Sequence, residues 1–147
     1  MKILSILGSL RKESLNRKLL NAAVGLAPEG MEIEVFDRLG EFPILNDDLV
    51  PNAPQIVREF KEKVRTADAI LFVSPEYNYS IPGGLKNAID WGSRPPSDNC
   101  FDGKPAAIMG AAGRLGGTMR MQYHLRQVMV TLNMFPINEE IFVREGA

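Results

Sequence analysis

The chain has 147 residues, of which 45% are hydrophobic and 24% charged, as expected of one globular domain. Its 17 basic and 18 acidic side chains leave a net charge of −1. We therefore expect neither a nucleic-acid-binding module nor a strongly acidic electron shuttle that docks through its overall charge. A single cysteine, Cys100, excludes an internal disulfide framework and a cysteine-rich zinc site. No apolar run resembles a signal peptide or a membrane span, so we expect a cytoplasmic protein with no membrane partner.

Short apolar runs alternate with segments of helical periodicity along the chain. The first run, 3–7, is continuous, which is typical of a central parallel strand buried on both faces. Further strands are predicted at 32–36, 69–73, 106–109 and 137–143. Helices are predicted at about 14–26 with Ser14 as N-cap, at about 53–66, around Leu85, Ala88 and Ile89, and at 117–133, with a long loop over 38–53.

This alternation predicts an α/β fold in which helices cover both faces of one parallel sheet. The whole chain, 1–147, is expected to form a single domain. Ligands of such sheets bind at the carboxyl ends of the strands, near the point where the strand order reverses. The loops that follow the three central strands are therefore the candidate site.

The first of these loops, 8–16, has the residues of a phosphate site. Ser9, Ser14 and Asn16 offer neutral hydrogen bonds. Arg11 offers a guanidinium group, and the N-terminus of the following helix offers free N–H groups. The alternative is that Ser14 only caps the helix and that Arg11 is solvated. Neither G-x-x-x-x-G-K-[ST] nor G-x-G-x-x-G occurs here, which argues against a triphosphate or dinucleotide cradle.

The second loop, 74–84, places two tyrosines beside an asparagine between prolines. A rigid aromatic loop with polar edges suits a planar heterocycle. The alternative is a tyrosine-rich turn that packs on its own helix. The third loop, 110–117, has four glycines in eight residues, which allows its N–H groups to approach a ligand closely but is a weak signal by itself.

Together these residues resemble the NADPH-dependent FMN reductase family, and most closely its chromate/quinone reductase branch. The resemblance rests on Gly8-Ser9-Leu10-Arg11 with Ser14 and Asn16, on the stretch 75–91 (PEYNYSIPGGLKNAIDW), and on Lys104-Pro105, Gly116-Gly117 and 122–127. It implies a three-layer flavodoxin-like fold with a five-stranded sheet in the order 2-1-3-4-5. It also implies non-covalent FMN, with NAD(P)H as co-substrate.

The resemblance assigns the FMN-binding residues by matching positions. For the phosphate it implies Ser9, Arg11, Ser14 and Asn16. For the isoalloxazine it implies Pro75, Glu76, Tyr77 and Asn78, with Tyr79 and Ser80 close by. For the pyrimidine edge it implies main-chain groups around Ala112 and Gly113. No side chain is assigned as a catalytic acid or base.

The implied activity is hydride transfer from NAD(P)H through FMN to quinones, chromate, azo compounds or free flavin. Family members form homodimers or homotetramers, and we expect the same here. Their chains continue for one more helix after the fifth strand, and this C-terminal helix is expected to be missing here, which would leave one face of the sheet partly uncovered. The expected explanation is either a truncated chain or a partner subunit that covers the face. No metal site is expected, because His124 lacks further ligands at metal spacing and Asp47-Asp48 is typical of a solvated loop.

Three other classes of protein remain open at this point. A flavodoxin-type electron carrier would bind FMN without reacting with NAD(P)H. A receiver-type signalling domain would need acidic residues where Gly8 and Ser9 stand. A flavin-free binding protein would ignore added FMN.

Overall fold

The computed structural model describes residues 1–113 and 116–144. Its strands are β1 (Lys2–Leu7), β2 (Glu32–Phe36), β3 (Ala69–Val73), β4 (Pro105–Ala112), β5 (Phe135–Pro136) and β6 (Ile141–Arg144). Its α-helices are α1 (Leu15–Gly25), α2 (Gln55–Thr66), α3 (Gly83–Gly92) and α4 (Met119–Thr131). The predicted alternation of strands and helices is confirmed.

The strands form one parallel sheet in the order β2-β1-β3-β4-β5, with β6 also paired to β4. This is the predicted flavodoxin-like order. In the central ladders Leu7 pairs with Val73, and Val73 pairs with Met109. β1 and β3 end in register, and β4 continues three residues beyond Met109, so the loops that follow these parallel strands emerge at the same edge of the sheet.

The fifth strand differs from its prediction over 137–143, because two short strands replace it. β5 pairs with the start of β4, and β6 pairs with its end. The Ile137 N–H still donates to the Ala106 carbonyl of β4 at 2.9 Å. Beyond it the chain leaves the sheet, and the guanidinium of Arg126 donates to the carbonyls of Ile137 (2.8 Å) and Glu139 (3.1 Å). Apolar residues on both sides of this break made the segment resemble one continuous strand.

Other boundaries also differ from their predictions. The strand predicted at 106–109 is β4, which runs to Ala112, so the first three residues of the predicted third loop belong to the strand. The predicted loop over 38–53 contains two short 3₁₀ turns, Leu39–Glu41 and Asp47–Asn52. Helix α4 begins at Met119 rather than at Gly117, because Gly117 has a φ of +55°, in the left-handed region that a right-handed helix excludes.

The core lies on both faces of the sheet. Residues of α2, α3 and α4 pack on one face, where the largest buried side chains are Phe60, Phe72, Trp91 and Phe101. Helix α1 packs on the other face, where Leu7, Leu20, Val73 and Met109 form a smaller cluster. Among the described residues α1 is the one α-helix on that face, and Ile33 and Leu71 are only partly buried there. No helix within 1–113 and 116–144 has the length and apolar character needed to cross a membrane.

Candidate active site

The three loops at the carboxyl edge of the sheet enclose two cavities. The smaller, about 170 Å³, is lined by Ser9, Arg11, Ser14, Leu15, Asn16, Pro75, Tyr77, Ala111 and Ala112. The larger, about 560 Å³, is lined by Glu76, Tyr77, Asn78 and Tyr79. Tyr77 lines both cavities, so residues predicted from separate loops meet at one site. Two predicted residues lie outside these cavities: Ser80 lines a cavity between α3 and α4, and Gly113 is exposed just after β4. Arg114 and Leu115 of the third loop lie outside the described residues.

A close approach of β1 and β3 explains the glycine at the start of the first loop. Gly8 donates its N–H to the carbonyl of Val73 at 2.8 Å. A Cβ atom on Gly8 would lie 2.3 Å from Ser74 Oγ and 2.6 Å from Ser74 Cβ, far inside van der Waals contact. Glycine is required here for packing, because no side chain fits between the two strands.

The smaller cavity has the features of an anion site. Ser14 caps α1 as predicted, accepting the Asn16 N–H at 3.1 Å, and the first turn of α1 carries no acidic residue. The partial positive charge of the helix N-terminus is therefore not neutralised within its own first turn. Arg11 is exposed and donates to the Glu13 carbonyl at 2.6 and 3.1 Å, which holds its guanidinium beside the loop.

Asn16 makes a contact that sequence reasoning did not anticipate. Its side chain is buried, and its amide exchanges two hydrogen bonds with the main chain of Ala111 on β4. The partners stand 95 positions apart, so no local pattern could reveal the pair. The resemblance implied a phosphate contact for this residue, and its amide is already committed to the sheet.

The second loop contains a tight turn with an unusual backbone. Tyr77 and Ser80 exchange main-chain hydrogen bonds at 2.9 and 3.1 Å around Asn78 and Tyr79, whose φ angles are +50° and +64°. Positive φ at both central residues defines a type I′ turn, which asparagine tolerates and tyrosine rarely adopts. Such strain persists only where surrounding contacts fix the backbone.

Helix α4 supplies those contacts. The carboxylate of Glu76 accepts the Met121 N–H at 3.0 Å, in the first turn of α4. The guanidinium of Arg120 lies 4.0 Å over the Tyr79 ring. One turn further along α4, His124 Nδ1 hydrogen-bonds with Ser80 Oγ at 2.9 Å.

These three contacts attach the side chains of Glu76, Tyr79 and Ser80 to α4, while Tyr77 remains 53% exposed at the cavity wall. Sequence reasoning missed Arg120 and Met121, and it considered His124 only as a metal ligand, which it excluded. The one available signal was the i, i+4 spacing of two basic side chains, Arg120 and His124, on α4.

The other polar candidates take no part in the site. Cys100 is buried, and burial raises the pKa of its thiol to about 12, so it carries no reactive thiolate at neutral pH. The side chain of Asp47 is 82% exposed. Nowhere in the described part of the chain do three or more His, Cys, Asp or Glu side chains cluster as a metal site.

This donor set fits a mononucleotide with a planar ring. The smaller cavity offers hydroxyls, a guanidinium and a helix N-terminus to a terminal phosphate, and the aromatic wall of Tyr77 continues from it into the larger, open cavity. A flavodoxin-like sheet with such a site at its carboxyl edge defines a flavin mononucleotide protein. The chain belongs to the NADPH-dependent FMN reductase family, which it matches over residues 1–147, so the resemblance is confirmed.

Known proteins agree with this assignment. The chain is 52% identical over 140 residues to an NAD(P)H-dependent FMN reductase of Pseudomonas aeruginosa, covering 95% of this chain and 75% of that protein. It is 50% identical to an NAD(P)H:quinone oxidoreductase of Solanum tuberosum, covering 97% and 74%. The solved structure of the flavoenzyme FerB, an NAD(P)H:(acceptor) oxidoreductase from Paracoccus denitrificans, superposes with a TM-score of 0.93 at 36% identity, covering 99% and 80%. The chain is an FMN-dependent NAD(P)H oxidoreductase, and these relatives do not support the electron-carrier alternative.

Proposed function

We propose that the chain is an NAD(P)H:quinone oxidoreductase that also reduces other small planar or oxidising acceptors, such as azo compounds, chromate and free flavin. The observation that carries the proposal is that the cavity with the features of an anion site and a second, aromatic-walled cavity share one wall residue, Tyr77. Both cavities open to solvent, so a flavin that spans them would keep one face accessible to a coenzyme and then to an acceptor. The names of the quinone-reducing relatives support the same acceptor class.

The residues that hold FMN divide between the two cavities. We assign the phosphate to Ser9, Arg11 and Ser14 with the N-terminus of α1, and the ring to Pro75, Tyr77 and Asn78 with main-chain groups of Ala112 and Gly113. Glu76, Tyr79 and Ser80 keep the turn in place through their contacts with α4.

When bound, FMN supplies the redox chemistry, accepting a hydride from NAD(P)H and delivering electrons to the acceptor. The chain's part is to bind and orient. The main-chain bonds of the type I′ turn join Tyr77 and Ser80 and do not use the N–H groups of Asn78 and Tyr79, so we assign these two N–H groups to a polar ring edge. No side chain is proposed as an acid or base: the Glu76 carboxylate is engaged by Met121, and the His124 ring is engaged by Ser80.

We further propose that the chain assembles as a homodimer or homotetramer in the cytoplasm. Large apolar side chains are exposed along α4 and the β5–β6 edge: Tyr123, Val130, Phe135, Ile137 and Ile141. Exposed apolar groups that lie along one side of a domain favour association. Light scattering on the purified protein should give two or four chain masses; a single chain mass across the concentrations used in the assay would contradict the assembly.

The proposed reaction is tested by anaerobic titration of the FMN-loaded chain. We expect NADPH or NADH to bleach the visible flavin band and a soluble quinone to restore it. Ser9→Ala should weaken FMN binding, whereas Ser97→Ala should not, because Ser97 is exposed in the turn that precedes β4 at the opposite edge of the sheet. Protein that binds FMN but is bleached by neither coenzyme, or that no quinone reoxidises, would contradict the proposal.

A further inference from the structure

The side chain of Asn16 has a role that phosphate binding does not explain. Only 2% of the residue is exposed, and its amide pairs with one peptide unit of β4. Nδ2 donates to the Ala111 carbonyl at 3.0 Å, and Oδ1 accepts the Ala111 N–H at 2.9 Å. A primary amide offers the same donor and acceptor as a main-chain peptide group, so Asn16 presents to Ala111 what a neighbouring strand would present.

The ladder between β3 and β4 shows why such a substitute is needed. Its last hydrogen bond runs from the Ser74 N–H to the Met109 carbonyl at 3.2 Å. On the side that faces β4, the next N–H after Ser74 belongs to Glu76, which lies in the second loop beyond the end of β3. In a parallel ladder every second residue faces the same neighbour, so Ala111 turns its N–H and carbonyl toward the same side as Met109. The Asn16 amide pairs with them where β3 no longer does.

The pairing joins two parts of the proposed flavin site. Asn16 lies in the first turn region of α1 beside Ser14, and Ala111 and Ala112 form the end of β4 that leads into the third loop. All four residues line the same cavity of about 170 Å³. Without the amide, two main-chain groups at a buried position would lose their partners, and the end of β4 would lose its fixed distance from α1.

We infer that Asn16 is a positioning residue for flavin binding, which fixes the end of β4 against α1 and does not bind the phosphate. The inference rests on the proposed FMN site, and it replaces the phosphate contact that the resemblance implied. A phosphate ligand matters only to a flavin that carries a phosphate. A residue that positions the end of β4 matters equally to FMN and to riboflavin, which share the ring and differ in the phosphate.

The test compares the affinities of the flavin-free chain for FMN and for riboflavin. We expect Asn16→Ala to weaken both by a similar factor, about tenfold for the loss of an ordered hydrogen-bonded pair. Ser9→Ala should weaken FMN selectively. Val64→Ala is the matched control, because it removes a fully buried side chain on α2 and lowers stability while leaving both affinities unchanged. A loss confined to FMN in Asn16→Ala would overturn the inference.

A measurement on the unmodified chain covers the case in which Asn16→Ala does not fold. Hydrogen exchange of the Ala111 amide should be slow without ligand and should stay slow with saturating FMN, because Asn16 keeps its partner. Faster exchange of this amide on FMN binding would show that Asn16 leaves Ala111 for the phosphate, and would overturn the inference. An unmodified chain that binds neither flavin would instead refute the proposed function, and the inference with it.

Discussion

Glu76 joins the strained turn of the second loop to helix α4, and its removal should affect both. Its carboxylate is 10% exposed and accepts the Met121 N–H at 3.0 Å. A hydrogen bond to a charged group contributes about 1.5–3 kcal/mol. A negative charge at a helix N-terminus adds roughly 0.3–1 kcal/mol. The Arg120 guanidinium lies 4.0 Å from the carboxylate and is half exposed, so this ion pair contributes little to the free energy of unfolding.

We therefore expect Glu76→Ala to lower the free energy of unfolding by about 2–3 kcal/mol, and Glu76→Gln, which keeps an acceptor oxygen, by about 1 kcal/mol. In a domain of this size each kcal/mol lowers the melting temperature by roughly 2–4 °C. Thermal unfolding followed by circular dichroism measures both variants, and flavin binding should weaken in the same order. Glu62→Ala, on the exposed side of α2, is the control and should change neither quantity. Losses of equal size in the two Glu76 variants, or losses below about 0.5 kcal/mol, would refute this account of the turn.

Three further substitutions test buried positions of the fold. Ser5 is fully buried on β1, and within the described residues its Oγ has no hydrogen-bond partner. Ser5→Ala should therefore raise the melting temperature measured by calorimetry by roughly 2–4 °C, and a decrease would contradict this. Gly8→Ala should lower the free energy of unfolding, measured in urea, by about 1–3 kcal/mol, because the new Cβ would lie 2.3 Å from Ser74 Oγ. Adding Ser74→Gly should recover most of this loss, and no recovery would exclude the clash as the cause. Burial raises the pKa of the Cys100 thiol from 9.0 to about 12. Between pH 9 and 12 the unfolded chain therefore loses the thiol proton while the folded chain keeps it, so the free energy of unfolding should fall as the pH rises through this range. Cys100→Ala should show a shallower fall in urea unfolding at alkaline pH, and an identical slope would rule out this thiol as the source.

The sheet could be predicted because its central strands are continuous apolar runs and its helices have a clear period. The first and third strands follow this rule, and their predicted ranges agree with the structure to within one residue. The fifth strand could not be predicted in the same way. Its interruption depends on hydrogen bonds from Arg126, a residue on the preceding helix, and apolar patterning carries no information about such a bond.

The site, like the sheet, could be predicted only in part. That three loops would meet could be predicted, because parallel strands bring their carboxyl ends to one edge. Which side chains hold the loops in place, rather than bind a ligand, could not be predicted. Asn16 and Glu76 have the residue types of ligand-binding groups, yet their partners are main-chain N–H or carbonyl groups 95 and 45 positions away. The assignment of individual residues to FMN stays a prediction that the binding experiments decide.

The break between β5 and β6 makes one margin of the sheet suitable for protein engineering. Each short strand keeps its own ladder with β4, and after Ile137, whose N–H still donates to the Ala106 carbonyl, the main chain is held by the Arg126 guanidinium. Lengthening an exposed loop costs little conformational free energy, about 0.6 kcal/mol for each doubling of its length. A peptide tag inserted between Asn138 and Glu139, both exposed, should therefore leave the order of the sheet intact, although it would stand on the β5–β6 edge proposed for subunit assembly. The enzyme could be attached to a solid support at this point without altering its termini.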